Sequence, residues 1–208
     1  MKIVNDELRR RLERREKVKL ELGSGGPARP GYFGVDTVAL PGVDVVGDLN
    51  APWDALPDGC AEAVYTRHTF EHLPNLLGVM RELHRVSAPD ARIEIIVPHF
   101  SNVYGMSDPT HVRFFGLYSM FYFCDPAEQP PRKVPAFYTD TRFHVDRVFI
   151  AFYRNSRLEK WFVAVFERLV NWRLWTQEFY ERRLAFLFHA WEIRYSLRPA
   201  GKTLRDEG

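Results

Sequence analysis

Hydrophobic and polar positions alternate and cluster along this chain in a way that predicts an ordered set of elements. Val18, Leu20 and Leu22 alternate with Lys19 and Glu21, a period of two that predicts a strand. A second strand is expected at Tyr32–Asp36 and a third through Val43–Val46 after the Pro41-Gly42 turn. "AEAVYTRH" gives a fourth, and "APDARIEIIVP" turns into a fifth at Ile93–Val97, stopped by Pro98. Between the last two, Leu73, Leu76, Leu77, Met80 and Leu83 predict one apolar helix face, with Pro74 in the first turn. Residues 5–16 predict a short helix capped by Asn5 or Asp6, with Leu8 and Leu12 on one face. Strands early, with a helix between the last two, favour a parallel α/β sheet.

The C-terminal third differs. Residues 143–153 and 190–199 predict two strands, and 156–190 have helical period and many Trp and Phe. Two strands flanking a helical insert can end the sheet as an antiparallel pair. The one long irregular stretch is Cys124–Arg142, and a loop of that length in a compact domain is often functional.

Composition narrows the class. A chain of 208 residues with 46% hydrophobic and 27% charged content is most simply one soluble globular domain. A net charge of +2 gives no reason to expect nucleic acid as a partner. Residues 1–19 nevertheless carry eight Lys/Arg against four Asp/Glu. Cys60 and Cys124 make neither a disulfide framework nor a zinc site, and reduced thiols fit a cytoplasmic location. No apolar run approaches the ~20 residues of a membrane span, and the N-terminus is too charged for a signal peptide.

The glycine turn Gly23-Ser24-Gly25-Gly26-Pro27-Ala28 has the form G-x-G-x-x-A of dinucleotide sites. A pyrophosphate needs a helix N-terminus to receive it. Here Pro27 and Pro30 interrupt that helix, the connector Gly23–Gly31 has nine residues, and Asp36 follows Gly23 by only 13. That argues against a nicotinamide-dependent oxidoreductase. S-adenosylmethionine has no phosphate; it needs a glycine turn for close backbone approach and an acid for the ribose hydroxyls. "ELGSG" followed by "GVD" supplies both, and with "GDLN", "YTRHTFEHL" and "RELHRVSAPDARIEI" the chain resembles the class I S-adenosylmethionine-dependent methyltransferases over residues 18–100. The resemblance implies a Rossmann-like, mostly parallel sheet with an antiparallel last strand and helices on both faces. It implies that Glu21, Gly23, Ser24, Gly25, Asp36, Asp48, Leu49 and His68 hold the cofactor. Two departures stand out: the first connecting helix is nearly absent, and Pro89-Asp90-Ala91 replaces the usual glycine pair before the fifth strand.

Acceptor chemistry is expected after that fifth strand, because sites in open α/β sheets lie outside the carboxyl ends of strands. The stretch Pro98–Phe115 carries His99, Asp108, His111 and Arg113. A histidine can act as base near neutral pH with an aspartate as orienter, and Arg113 is a candidate for gripping substrate. "PHFSN" and "SDPTHVRFFG" also resemble segments of methyltransferases of bacterial polysaccharide and other glycan synthesis, which implies a sugar hydroxyl as acceptor. An amine or carboxylate acceptor, and a non-catalytic cofactor-binding module, are the alternatives. No metal is assigned, since these spacings match no strong metal motif. The aromatic third is read as core or lid, with homodimer contact or a peripheral membrane surface as the other readings. On this reading 1–208 is a single methyltransferase domain. It comprises an N-terminal helix (1–17), cofactor core (18–100), acceptor-side loops (101–142) and a C-terminal strand pair with its helical insert (143–208).

Overall fold

A computed structural model describes residues 1–154 and 157–201, with every side chain among them except those of residues 157–159. The expected helix start at 156 and the side chains of Arg157 and Leu158 therefore lie outside the described residues. Eight strands form one sheet. They are β1 (Lys2–Ile3), β2 (Val18–Leu22), β3 (Phe33–Asp36), β4 (Val45–Val46), β5 (Ala61–Arg67), β6 (Ser87–Pro98), β7 (Phe143–Ala151) and β8 (Glu192–Pro199). The helices are α1 (Asp6–Glu13), α2 (Leu76–Val86), α3 (Val103–Ser107), α4 (Arg157–Val170) and α5 (Leu174–Arg183).

The strand order is β1-β4-β3-β2-β5-β6-β8-β7. β2 to β6 run parallel, and β8 is antiparallel to both β6 and β7. The chain leaves β2 outward through β3 and β4, then returns to place β5 on the other flank of β2. That reversal places a topological switch point at the carboxyl ends of β2 and β5, the position at which open α/β sheets have their ligand-binding crevice. The Rossmann-like expectation is met, including the antiparallel last strand.

Local chemistry explains most elements. Asn5 caps α1, its Oδ1 accepting from Glu7 N at 2.8 Å and Leu8 N at 3.2 Å, and Leu8 and Leu12 are buried as expected. Asn75 caps α2 through Gly78 N at 3.2 Å. Pro74 therefore lies just outside the helix rather than in its first turn. Val79, Met80, Leu83 and Val86 form the inner face, whereas Leu77 points to solvent. β6 begins earlier than expected, at Ser87, because the Pro89-Asp90-Ala91 segment is absorbed as a bulge: the pairing with β5 steps from Ala61↔Ser87 to Ala63↔Arg92. The third strand shrinks to Val45–Val46, and β1, two residues long, escapes any periodicity.

β2 and β3 connect without a helix, and side chains replace what a helix would supply. The Arg29 guanidinium lies 3.7 Å from the centroid of the Tyr65 ring, and Glu21 Oε2 accepts from Arg29 N at 2.6 Å. At Gly34 of β3 a Cβ would stand 2.6 Å from Ser24 Oγ, so the loop lies flat on the sheet only because Gly34 has no side chain.

At the opposite edge, the α4–α5 corner is fastened to β7 by side-chain amides. Asn171 Oδ1 accepts from Ile150 N and Asn171 Nδ2 donates to Ile150 O, both at 2.8 Å. Gln177 Nε2 donates to Val148 O at 2.7 Å. These amides occupy the edge strand's backbone groups as a further strand would. Asn171→Ala should therefore lower stability by about 1–3 kcal/mol, the cost of leaving a buried backbone pair unsatisfied. Chemical denaturation measures this, and an unchanged midpoint would contradict the anchoring role.

Candidate functional site

The crevice is built from the turns that follow β2, β3, β4 and β5. Gly23, Gly25 and Gly26 all have positive φ (68°, 64° and 146°), so the turn takes a path that side chains resist. Gly23 N donates to Val35 O at 2.8 Å, bending the turn over β3. A Cβ on Gly23 would collide with the Thr69 side chain. Asp36, at the end of β3, accepts from Gly25 N at 2.8 Å and from Val38 N at 3.1 Å. Beyond β4, Asp48 Oδ1 accepts from Asn50 N at 2.8 Å, while Leu49 is buried and its carbonyl takes Trp53 Nε1 at 3.0 Å. Seven of the eight residues expected to hold a cofactor thus fall on three consecutive turns and the strands that lead into them, with His68 on a fourth. Glu21 and Ser24 also brace the loop.

The structure passes a simple fit test for a ligand without phosphate. Around Gly25 no atom lies within 4 Å of where a Cβ would be, so the backbone is bare and open beside the Asp36 carboxylate. No helix N-terminus follows the turn to seat a pyrophosphate.

At the end of β5 sits His68, with φ +53°, its N–H donating to Ile96 O at 2.9 Å. Its Nε2 lies 2.9 Å from Glu192 Oε1, and its Nδ1 lies 3.3 Å from Glu71 Oε1. Both carboxylates are 1% exposed. Arg67 also reaches Glu192, at 2.6 Å. The Glu192 carboxylate bonded to His68, and then Glu71 beside it, outweigh burial and raise the imidazole from 6.5 to about 9. Burial pushes Glu192 up, but the hydrogen bonds from His68 and Arg67 prevail and hold it at about 2. At neutral pH, His68 is therefore a cation paired with the Glu192 carboxylate, with Glu71 on its other side, and not a base.

The acceptor-side loop is strapped onto the turn at Phe70–His72. Val112 N donates to Glu71 O at 2.9 Å, Thr110 Oγ1 lies 3.0 Å from His72 Nδ1, and Arg113 Nε donates to Leu73 O at 2.8 Å. This brings His111 Nε2 to 3.6 Å from Asp108 Oδ2 and 3.9 Å from Glu71 Oε1. His111 and Asp108 thus lie side by side, just beyond hydrogen-bonding distance, and Glu71 stands between His111 and His68. Arg113 is committed to the Leu73 and Pro74 carbonyls, so its guanidinium is a strut for the loop.

His99 is placed differently from the other candidates. It is buried, Ser101 N donates to its Nδ1 at 3.1 Å, and its Nε2 meets Glu181 Oε1 at 3.1 Å. Both ring nitrogens are occupied, and the ring packs on Phe100 with centroids 4.3 Å apart. Glu71, His72 and His111 have ligating atoms within 4.8 Å of one another, a spacing open to a divalent cation. The His68 imidazolium faces the same Glu71 oxygen and already supplies the compensating charge. Beside this loop lies a cleft of 360 Å³, lined by Leu76, Val112, Arg113, Phe114, Tyr122 and Tyr138 among others.

Residues 36–95 match the family model described as a methyltransferase domain. No curated protein matches the chain. Among solved structures, a SAM-dependent methyltransferase from Archaeoglobus fulgidus is 16% identical, with 92% of this chain and 91% of that one covered and a TM-score of 0.45. The YcgJ protein from Bacillus subtilis is 14% identical, with 88% and 90% covered and a TM-score of 0.46. At these scores neither likeness bears on what the chain does. The matched segment runs from the end of β3 into β6, and the sheet order is that of a Rossmann-like α/β fold.

Two outcomes are expected. Gly25→Ala should cost only about 1–2 kcal/mol, the strain of a side chain at positive φ, yet weaken S-adenosylhomocysteine binding by at least about tenfold. Gly23→Ala should cost more stability, because of Thr69. Calorimetric titration and thermal melts separate the two, and wild-type affinity in Gly25→Ala would remove the turn from the cofactor site. The second outcome concerns pH. A folded-state pKa raised from 6.5 to about 9 gives His68 a stabilising contribution complete below about pH 6.5 and lost as pH rises through 9. His68→Asn keeps a residue that tolerates positive φ but removes the charge. Its Tm should fall less steeply than wild type between pH 6.5 and 9, and parallel slopes would show that His68 is not charged there.

Proposed function

We propose that the chain transfers a methyl group from S-adenosylmethionine to a hydroxyl, on a glycan or a sugar-containing metabolite. The observation that carries this reading is His111, mostly buried, with its Nε2 between Asp108 and Glu71 at the carboxyl end of the sheet. An alcohol must lose its proton as it attacks, and an imidazole oriented by a carboxylate can take it. Methyl transfer to an amine or carboxylate needs less of that help.

When bound, S-adenosylmethionine supplies a methyl group already activated on a sulfonium. Gly23, Ser24 and Gly25 would lie along it, Asp36 would accept from the ribose hydroxyls, and Asp48 and Leu49 would border the adenine. Glu21 would hold the loop in place, and the His68 cation would sit near the carboxylate end. His111 would take the acceptor proton, and Asp108 would orient it. Positioning of donor and acceptor can supply about 7–11 kcal/mol of barrier reduction, and a placed base adds about 10²–10⁴-fold. The cleft lined by Val112 and Arg113, which follow His111 in the chain, supports a sugar acceptor, since the exposed Phe114, Tyr122 and Tyr138 also line it.

A labelled-methyl transfer assay against cell-extract fractions, with glycans separated from small metabolites, tests the acceptor class. With an acceptor in hand, His111→Gln should lower kcat by about 10²–10⁴-fold. His99→Gln should lower Tm and leave kcat near wild type. Full activity in His111→Gln would point to an amine or carboxylate acceptor instead.

A further inference from the structure

Helix α4 carries apolar side chains on the wrong side for a core. Phe166 and Tyr180 meet between α4 and α5, 6.1 Å between ring centroids, and Phe166 also packs on Phe152. These residues mark the inner faces. Trp161, Val165 and Leu169, at i, i+4 and i+8, form a second apolar stripe that stays exposed, with Trp161 at 74%. Trp175 and Phe179 form the matching exposed stripe on α5, and Trp172 sits in the connector between the two helices. Past α5, Phe186 is 75% exposed and Leu187 is 70% exposed. The amide anchors of Asn171 and Gln177 on β7 fix this corner, so these side chains are turned outward by the fold.

The charges of the same segment are sorted. Among the described side chains of residues 160–190, Lys160, Arg168, Arg173, Arg182 and Arg183 are exposed. The acids are engaged: Glu167 holds Phe152 N at 3.0 Å and Arg154 at 2.6 Å, and Glu181 holds Leu117 N at 2.6 Å. Glu178 lies 3.6 Å from Arg182. The outer surface is therefore aromatic and cationic.

We propose that the outer face of α4, α5 and the segment that follows docks onto an anionic phospholipid surface. Exposed Trp and Phe flanked by Arg and Lys suit the headgroup boundary, where an indole has both apolar and polar neighbours. A second copy of the chain is the weaker occupant. A two-fold contact sets the same patch against itself and would bring these cations together, whereas an anionic bilayer attracts each of them. The proposal does not depend on the acceptor or on methyl transfer.

Co-sedimentation of the full chain with phosphatidylcholine vesicles, with and without phosphatidylglycerol, tests it. Binding should be at least about tenfold tighter with phosphatidylglycerol and weaken as salt rises. Tryptophan fluorescence should be quenched by brominated lipid. The double variant Trp161→Ser/Trp175→Ser should lose about tenfold or more in vesicle affinity. Arg168→Gln/Arg183→Gln, which removes two exposed cations, should lose on the order of 25-fold, about fivefold per cation. Both variants should keep wild-type Tm, since the altered groups are exposed. No preference for phosphatidylglycerol, unchanged binding in Trp161→Ser/Trp175→Ser, or a wild-type dimer that the same variant makes monomeric would each overturn the proposal.

Discussion

The His68 imidazolium between Glu71 and Glu192 is the interaction on which the rest of the site depends. Two carboxylates at 1% exposure would be costly to bury as bare anions. One cation, held at 2.9 Å from one and 3.3 Å from the other, offsets both, with Arg67 closing the balance on the Glu192 side. The geometry ties distant parts of the chain together. Glu192 opens β8, so the antiparallel strand is locked to the end of β5. Glu71 lies in the turn that receives the Asp108–Arg113 loop. A single charged ring thus couples the crevice after β5, the last strand and the acceptor-side loop. His68 adopts φ +53° to do so, a backbone cost that the hydrogen bond to Ile96 and the two carboxylates support.

The other constraint is the short passage from β2 to β3. A parallel crossover usually takes a dozen or more residues and a helix. Here the loop stays against the sheet, clamped by Arg29 on Tyr65 and by Glu21 on Arg29 N, with Ser24 seated over Gly34. Removing the helix leaves Gly25 bare and Asp36 close at hand. The same economy that leaves no seat for a pyrophosphate leaves open backbone at Gly25 beside the Asp36 carboxylate, where the proposed cofactor would approach by van der Waals contact and ribose hydrogen bonds.

Much of this was legible in the sequence because it is local. Strand alternation in 18–22, the Asn5 cap, the glycine turn and the order of acids after successive strands are short-range patterns, and the sheet follows from them. What stayed hidden depends on pairing over long separations. Glu192 looks like an ordinary strand residue until β8 is set beside β6, and nothing in the sequence singles out Glu71 until the 108–113 loop packs over it. His99 and His111 have equal claims as bases in the sequence, since each is a histidine after the fifth strand. Only tertiary packing separates them: Ser101 and Glu181 occupy both nitrogens of His99, whereas His111 faces Asp108. Thr69 is likewise silent in sequence, its role being to require glycine at position 23.

The C-terminal third shows why aromatic content alone could not decide between core and surface. Its helical period holds apolar residues on more than one side, which ordinarily signals burial on both. The fold has one sheet face to offer, and Phe166, Val170 and Tyr180 fill it. Asn171 and Gln177 then fix the helices against the edge of β7, which prevents them from rolling to hide the second stripe. Glu181 faces inward to brace His99 and the Leu117 backbone, and Glu167 to hold Phe152 and Arg154, which removes acid from the outer surface. Exposed aromatics and their cationic setting therefore have the same origin. The polar anchors that complete the domain on its inner side consume the acids and fix the orientation, leaving Trp and Arg on the outside.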